Sequence, residues 1–187
     1  MTTLYLVRHA HAEWSPDNAR SLSAQGRASA AVLGNLLAPA PIAAIYSSPA
    51  RRALETIELL TRRLRLEPIV VDDLRERELV VAPGMDFETV VQAAWLSPVT
   101  AVPGSESNAV AQARGLAAIR KIVNEQSGLH VVVATHGNLL ALILNGLEPS
   151  FGFDFWLTLT FPDVYELSFQ DSALVNVRRI WAGDEAA

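Results

Sequence analysis

Four apolar, strand-like runs in this chain end in residues that could do chemistry. Thr3–Val7 leads into Arg8-His9-Ala10-His11, and Ile42–Tyr46 leads into Ser47-Ser48-Pro49, with Arg51 and Arg52 just behind. Ile69–Val71 leads into Asp72-Asp73-Leu74-Arg75-Glu76, and the run from His130 ends in Thr135-His136-Gly137. Phosphoryl transfer suits this set. A neutral imidazole is a good nucleophile and can carry a phosphoryl group as a covalent intermediate. The three oxygens of the group in flight need donors and positive charge. Two arginines and the second histidine, His136, would supply both, because a guanidinium is always charged and grips phosphate through parallel hydrogen bonds. Glu76 is the carboxylic acid placed to protonate the leaving oxygen. Arg8 and His9 are chain neighbours, and successive strand residues point to opposite faces. Both reach one pocket only where the chain leaves ideal strand geometry.

A metal reading competes on one point. His9-x-His11 at a strand end could hold a metal ion, but a metallohydrolase needs further ligands, and Arg8 and Arg52 would set two cations beside it. The expectation is therefore no metal. The chain has no cysteine, which excludes thiolate catalysis, disulfides and cysteine-ligated clusters.

The elements that must position these residues alternate. The first strand precedes a helix over Ser21–Leu37, capped by Ser21 or Ser23 and stopped by Pro39 and Pro41. Ile42–Tyr46 precedes a helix to about Leu64, with Pro49 in its first turn. Glu106–Gln126 is strongly amphipathic and Gly128 ends it. His130–Thr135 reads as a fully buried strand, and Gly137–Asn145 as a helix. Three β-like segments follow, over Phe155–Thr160, Val164–Phe169 and Ala173–Trp181, and their short connections would add antiparallel strands at an edge. The fold class expected is α/β, a three-layer α/β/α sandwich with a mainly parallel central sheet. In such sheets the site lies at the carboxyl ends of the strands, where all four clusters fall. A single domain over 1–187 is expected, with 78–105, punctuated by proline and glycine around a short helix at Phe87–Trp95, as a lid or substrate-specificity insert.

Charge narrows the partners. The chain has 187 residues, 15 Lys+Arg against 20 Asp+Glu and a net charge of −5. That balance argues against coating nucleic acid or an anionic membrane surface. The apolar run Leu139–Leu144 is far short of the roughly 20 residues a membrane span needs. Met1–Val7 shows no signal-peptide pattern, so a soluble, cytoplasmic protein is expected. The tandem pairs Arg62-Arg63 and Arg178-Arg179 read as solvated surface.

In order along the chain, six motifs resemble those of the histidine phosphatase superfamily, the phosphoglycerate mutase-like proteins. Leu6-Val7-Arg8-His9-Ala10 resembles its Arg-His-Gly signature, and Leu22-Ser23-Ala24-Gln25-Gly26 its Leu-Thr-x-x-Gly. Ser47-Ser48-Pro49-Ala50-Arg51-Arg52-Ala53-Leu54-Glu55-Thr56 is similar to its Ser-x-Pro-x-x-Arg-Ala-x-x-Thr block, and Leu74-Arg75-Glu76 to its Leu-x-Glu. Pro103-Gly104-Ser105-Glu106-Ser107 and Ala134-Thr135-His136-Gly137 resemble its Pro-Gly-Gly-Glu-Ser and Ser-His-Gly blocks. The resemblance spans about Leu4 to Leu144. It implies His9 as the phosphorylated nucleophile, with Arg8, Arg52 and His136 on the phosphoryl oxygens. Glu76 becomes the general acid and then the base that activates water. Arg52 is preferred to Arg51 because the family's arginine directly precedes the alanine. No organic cofactor is implied.

Three departures bear on the pocket. Ala10 replaces the signature glycine, His11 and Ala12 replace a Glu/Gln and a threonine, and Ser15 stands where mutases tend to have asparagine. His11, Trp14 and Ser15 are the rim candidates. The activity expected is that of a phosphomonoesterase, a histidine acid phosphatase-type phosphoric monoester hydrolase acting on a small phosphorylated metabolite. The alternatives are a mutase-type phosphotransferase, a phosphohistidine-protein phosphatase and a non-catalytic phospho-ligand-binding domain. No Lys or Arg occurs from Glu78 to Ala113, and a mutase needs extra cations for a second anionic group. Hydrolysis is therefore expected, with a leaving group that is neutral, apolar or weakly cationic.

Overall fold

A computed structural model describes residues 1–15 and 19–183. The elements run β1 (Thr2–Arg8), α1 (Ala24–Leu37), β2 (Ile42–Ser47), α2 (Arg51–Leu64), β3 (Ile69–Val70), a 3₁₀ turn (Asp72–Leu74) and α3 (Phe87–Leu96). They continue with α4 (Asn108–Glu125), β4 (His130–Thr135), α5 (Gly137–Leu147), α6 (Phe153–Leu157), β5 (Asp163–Gln170) and β6 (Ala173–Arg179). The sheet order is β3-β2-β4-β1-β5-β6. The first four strands are mutually parallel, while β5 runs antiparallel to β1, and β6 to β5. The expected α/β/α sandwich with a mainly parallel sheet and an antiparallel edge is therefore what the chain forms.

Strand periodicity builds both cores. Tyr5, Val7, Ile45, Val132 and Ala134 point to one face, against Leu33 and Leu37 of α1 and Ala53, Ile57 and Leu60 of α2. Leu4, Leu6, Tyr46, Val131 and Val133 point to the other, against Ile119 and Ile122 of α4 and Leu139, Leu140 and Ile143 of α5. Burying each large aliphatic side chain contributes about 1.5–3 kcal/mol, and the central strands do so on both faces. This two-sided burial is why Val131-Val132-Val133 shows no polar alternation.

Local chemistry moved several boundaries. Helix α1 starts at Ala24 because Ser23 caps it, its Oγ accepting from the Gly26 N–H at 3.0 Å. Ser107 caps α4 in the same way through Val110, which leaves Glu106 outside the helix and free to pair elsewhere. Pro49 lies ahead of α2, whose N-cap is Ala50. The segment Phe155–Thr160, read as a strand, is instead the end of α6 and the coil after it. Its aromatics sit at helical spacing: Phe151 meets Phe155 edge-on at 4.8 Å, and Phe153 stacks on Trp156 at 5.6 Å. Arg179 is exposed, as expected, but it is not merely solvated. It forms a two-pronged ion pair with the fully buried carboxylate of Asp163, at 2.9 and 2.8 Å.

The Leu-Ser-x-x-Gly segment docks α1 onto the chain just past β1. The Ser23 N–H donates to the His11 carbonyl at 3.0 Å, and a Cβ at Gly26 would stand 1.9 Å from that same oxygen. We expect Gly26→Ala to force the two backbones apart and to lower the free energy of unfolding by about 1–3 kcal/mol, read as a lower midpoint in urea denaturation.

Candidate active site

Because β3, β2, β4 and β1 are parallel, their carboxyl ends share one rim of the sheet. The chain leaves β1 just after Arg8, and the His9 N–H donates to the Thr135 carbonyl at 3.0 Å. The Ser48 N–H donates to the Ala134 carbonyl at 2.9 Å, past the end of β2. His9 and His136 are thereby brought edge to face, with ring centroids 5.2 Å apart. At the next position Ala10 has an ordinary negative φ, and its N–H donates to Thr56 Oγ1 at 2.9 Å. A methyl group in place of the signature glycine is therefore accommodated.

The protonation of His9 follows from its neighbours. The Arg52 Nε–H donates to His9 Nε2 at 3.2 Å. A guanidinium has no acceptor, so Nε2 carries a lone pair. The ring hydrogen then sits on Nδ1, which donates to the Ala10 carbonyl at 2.7 Å. Burial comes first and the positive charges of Arg52, Arg8 and Arg20 add to it. Together they outweigh the Ala10 hydrogen bond and push the imidazole down to about 3. His9 is a neutral imidazole with its Nε2 lone pair presented among arginines.

His136 is set the opposite way round. Its Nε2 lies 2.7 Å from Ser48 Oγ, and Ser48 Oγ accepts from the Ala50 N–H at 3.2 Å. Ser48 is fully buried, and of its two partners only His136 Nε2 can accept the hydroxyl hydrogen, which is therefore directed there. The His136 proton then falls on Nδ1, which is buried and has no partner among the described residues. Burial, then the nearby His9, Arg52, Arg114 and Arg8, hold this imidazole well below its ordinary value. A buried, unsatisfied N–H is costly unless something arrives to accept it.

Three arginines surround the pair. Arg8 Nη1 donates to the Leu159 carbonyl at 3.0 Å, and its Cζ lies 3.4 Å from the centre of the Phe161 ring. Gly137, the first residue of α5, covers the guanidinium; a Cβ there would come within 2.9 Å of Arg8 Cζ. Burial lowers Arg8 to about 10, which leaves it charged at neutral pH. Arg8 Nε and Arg20 Nε are both buried without a hydrogen-bond partner among the described residues. Arg20 lies close enough to His9 and Arg52 to act on both.

Glu76 approaches from the segment after the 3₁₀ turn. Its carboxylate accepts three backbone N–H bonds, from Arg77 at 2.9 Å, Leu139 at 3.0 Å and Asn138 at 3.2 Å. The last two belong to the first turn of α5, where the helix dipole favours an anion. The segment itself is clamped by Arg114 of α4. That guanidinium donates to the carbonyls of Asp73 at 2.8 Å, Arg75 at 2.9 Å and Glu76 at 3.3 Å, and to both carboxylate oxygens of Glu106 at 2.7 Å. Burial alone would raise Glu106, but Arg114 and Arg75 hold it below the usual carboxylate range. Glu106 of the Pro-Gly-Ser-Glu-Ser motif thus serves to anchor Arg114.

A neutral imidazole with charged donors around it and a carboxylate nearby has the chemistry that phosphoryl transfer calls for. The family model described as the histidine phosphatase superfamily (branch 1) matches residues 4–178. The chain belongs to that superfamily. A 2,3-bisphosphoglycerate-dependent phosphoglycerate mutase 2 of Gloeobacter violaceus is 30% identical over 169 residues, which cover 79% of this chain and 76% of the mutase. A probable phosphatase of Schizosaccharomyces pombe is 29% identical over 160 residues, covering 78% of this chain but only 56% of that longer protein. The solved structure of Bacillus stearothermophilus YhfR superposes with a TM-score of 0.74 at 27% identity, over 94% of this chain and 95% of that one.

In this histidine phosphatase-family chain, one cavity of about 960 Å³ is lined by Arg8, His9, Arg52, Glu76 and His136 together. Trp14 and Ser15 also line it, while His11 does not. His11 is exposed, with its Nδ1 2.8 Å from Ser23 Oγ. Arg51 is exposed and pairs with Glu55 at 2.6 Å. Among the described residues no group of three or more His, Asp or Glu could hold a metal ion, and no helix is long and apolar enough to cross a membrane. Sequence reasoning missed Arg20, Phe161 and Arg114, and gave Ser48, named at the end of the second strand, no role of its own. Arg20 lies just ahead of the Leu-Ser-x-x-Gly motif but belongs to none, and Phe161 comes from a turn far along the chain. Arg75 and Arg77 line the cavity as well, so it holds more cations than the basic-free stretch after Glu78 suggests.

Two consequences can be measured. Both histidines have lowered folded-state values, so below about pH 6.5 the unfolded chain takes up protons that the native state refuses until, for His9, about 3. Stability is fully present above 6.5 and falls as the pH drops through that window. We expect His9→Ala to flatten the decline, seen in urea midpoints collected between about pH 7 and pH 5. We also expect Gly137→Ala to displace the Arg8 guanidinium and weaken binding of inorganic phosphate about ten- to a hundred-fold by calorimetry, since hydrogen bonds to charged groups are each worth about 1.5–3 kcal/mol.

Proposed function

We propose that this chain is a phosphomonoesterase that works through a phosphohistidine on His9, a phosphoric monoester hydrolase of the histidine acid phosphatase type. The observation that carries it is the pairing of tautomers. His9 presents a lone pair at Nε2, and 5.2 Å away, centroid to centroid, His136 holds a buried N–H at Nδ1 with no partner among the described residues. A phosphoryl group set against both rings meets a nucleophile at one and a donor at the other.

His9 Nε2 attacks phosphorus, the P–O bond to the alcohol breaks, and its electron pair stays on the departing oxygen. Glu76 enters this step in its protonated carboxylic acid form and supplies the proton that this oxygen takes up. For that, one carboxyl oxygen exchanges a backbone N–H of α5 for the leaving group. Arg8, Arg52, Arg20 and the His136 Nδ1–H hold the three equatorial oxygens. Arg52 has only to pass its Nε–H from His9 to the arriving phosphoryl oxygen. In the second half Glu76, now a carboxylate, takes a proton from water as that water attacks phosphorus, and the N–P bond breaks to release phosphate and neutral His9.

Hydrolysis is favoured over mutase-type transfer by the outer charges. Arg75 is tied to Asp72 at 3.1 Å, and buried Arg77 gives its Nε–H to the Glu106 carbonyl. Both are partly engaged, which leaves less positive charge for a second phosphate. A small-molecule phosphomonoester suits the cavity, and the name of the Schizosaccharomyces pombe relative points the same way.

We expect His9→Ala to abolish turnover of a generic phosphomonoester. Rapid quench of the unaltered protein should trap an acid-labile, alkali-stable phosphoprotein. Glu76→Gln should slow hydrolysis of alkyl phosphates about 10²–10⁴-fold. Phosphate binding with no turnover across a substrate panel would overturn the reading in favour of a phospho-ligand-binding domain. Transfer to phosphoglycerate outrunning release to water would assign a mutase.

A further inference from the structure

Away from the histidines the cavity wall changes character. Trp14, Leu79, Val80, Phe87, Trp156 and Phe161 line it. Phe87, Phe161 and Trp14 are 48%, 42% and 75% exposed, and neither Phe87 nor Trp156 belongs to a core cluster. Phe87 opens α3, and Trp156 lies on α6, 6.1 Å away ring to ring. Trp156 is backed by Phe153, nearly parallel to it at 15°. One tryptophan face is thus braced and the cavity side remains available for stacking. Phe161 joins this wall to the phosphoryl end, because its ring carries the Arg8 guanidinium and lies 5.4 Å from His9. Exposed apolar surface of this extent is uncommon on a soluble fold unless something covers it.

The charges along the same wall do not favour an anionic occupant. Arg75 is paired with Asp72 at 3.1 Å and lies 3.8 Å from Asp73. Arg77 is buried against Glu106. The cavity's remaining outer charge is the exposed carboxylate of Glu78, while Arg8, Arg20 and Arg52 all act on His9.

We propose that this aromatic wall is the subsite for the alcohol half of the substrate, and that it selects phosphomonoesters of uncharged, ring-bearing alcohols. The phosphate enters the arginines, and the ring lies between Trp156 and Phe87 on one side and Phe161 on the other. Aromatic contacts and apolar burial of one ring correspond to a preference of about 10- to 100-fold over a substrate lacking it. The inference rests on the phosphoryl site proposed above, so binding and turnover have to be read separately.

Binding is measured by calorimetry with non-hydrolysable phosphonates, comparing 3-phenylpropylphosphonate with propylphosphonate. The phenyl compound should bind about 10- to 100-fold more tightly. In Phe87→Ala and Trp156→Ala variants that retain cooperative unfolding and still bind inorganic phosphate, that ratio should collapse toward one. Equal affinities in the unaltered protein would overturn the subsite. So would a ratio that survives both substitutions, or tighter binding of a phosphonate with a carboxylate tail. Turnover is read with 2-phenylethyl phosphate against ethyl phosphate, two alkyl esters whose alcohols leave comparably. A phenyl preference in binding without hydrolysis of either ester would uphold the subsite and sink the phosphatase. Hydrolysis of both at equal kcat/KM with equal phosphonate affinities would do the reverse.

Discussion

The hydrogen bond from Arg52 Nε to His9 Nε2, 3.2 Å long, settles more of this molecule than its own strength suggests. A guanidinium cannot accept, so the bond fixes which histidine nitrogen is bare. It also sets a permanent positive charge beside a buried imidazole, which with burial keeps that imidazole neutral. Both properties are what a phosphorus nucleophile needs. The bond exists only because β1 and α2 deliver their residues to one rim, which requires β4 between β1 and β2. The sheet order is thus a condition of the tautomer.

Around that bond the structure spends its other polar contacts on holding parts still. Ser48 relays an N–H from Ala50 to His136 and so points the other proton inward. Gly137 leaves room for Arg8, and Arg114 laces four partners together to hold the segment that ends in Glu76. The buried carboxylate of Asp163 accepts from the Thr160 N–H and from Arg179, which pins the turn presenting Phe161. None of these groups needs to touch substrate. Each removes a freedom from one that does, in keeping with the tolerance of catalytic geometry to only small displacements.

What could be read from the chain alone was whatever local pattern determines. Strand alternation, caps and the apolar run at Val131-Val132-Val133 mark the sandwich, and the charged residues ending each strand mark its working rim. Legibility failed where the cause is tertiary. Phe155–Thr160 is rich in residues that favour strands, yet Phe151, Phe155 and Tyr165 pack edge to face and draw the segment into a helical turn. Arg20 and Phe161 enter the cavity from loops whose course depends on everything they pack against. Arg179 sits in a strand that looks solvated, and only the pairing of β5 with β6 brings it to Asp163.

The charge balance shows how far a net figure can mislead. At −5 the chain repels extended polyanions, yet three arginines act together on one buried histidine. Such a cluster is unfavourable without an anion: burial lowers Arg8, burial and then Arg20 lower Arg52, and Arg8 Nε, Arg20 Nε and His136 Nδ1 have no partners among the described residues. Unmet donors and mutual repulsion are a standing cost to the empty fold. In the proposed reading a single phosphoryl group relieves both together, and Asp72 and Glu106, paired with Arg75 and Arg114, do not compete for the same donors. A proposed preference for one phosphoryl group over two thus rests on where these acidic residues are spent.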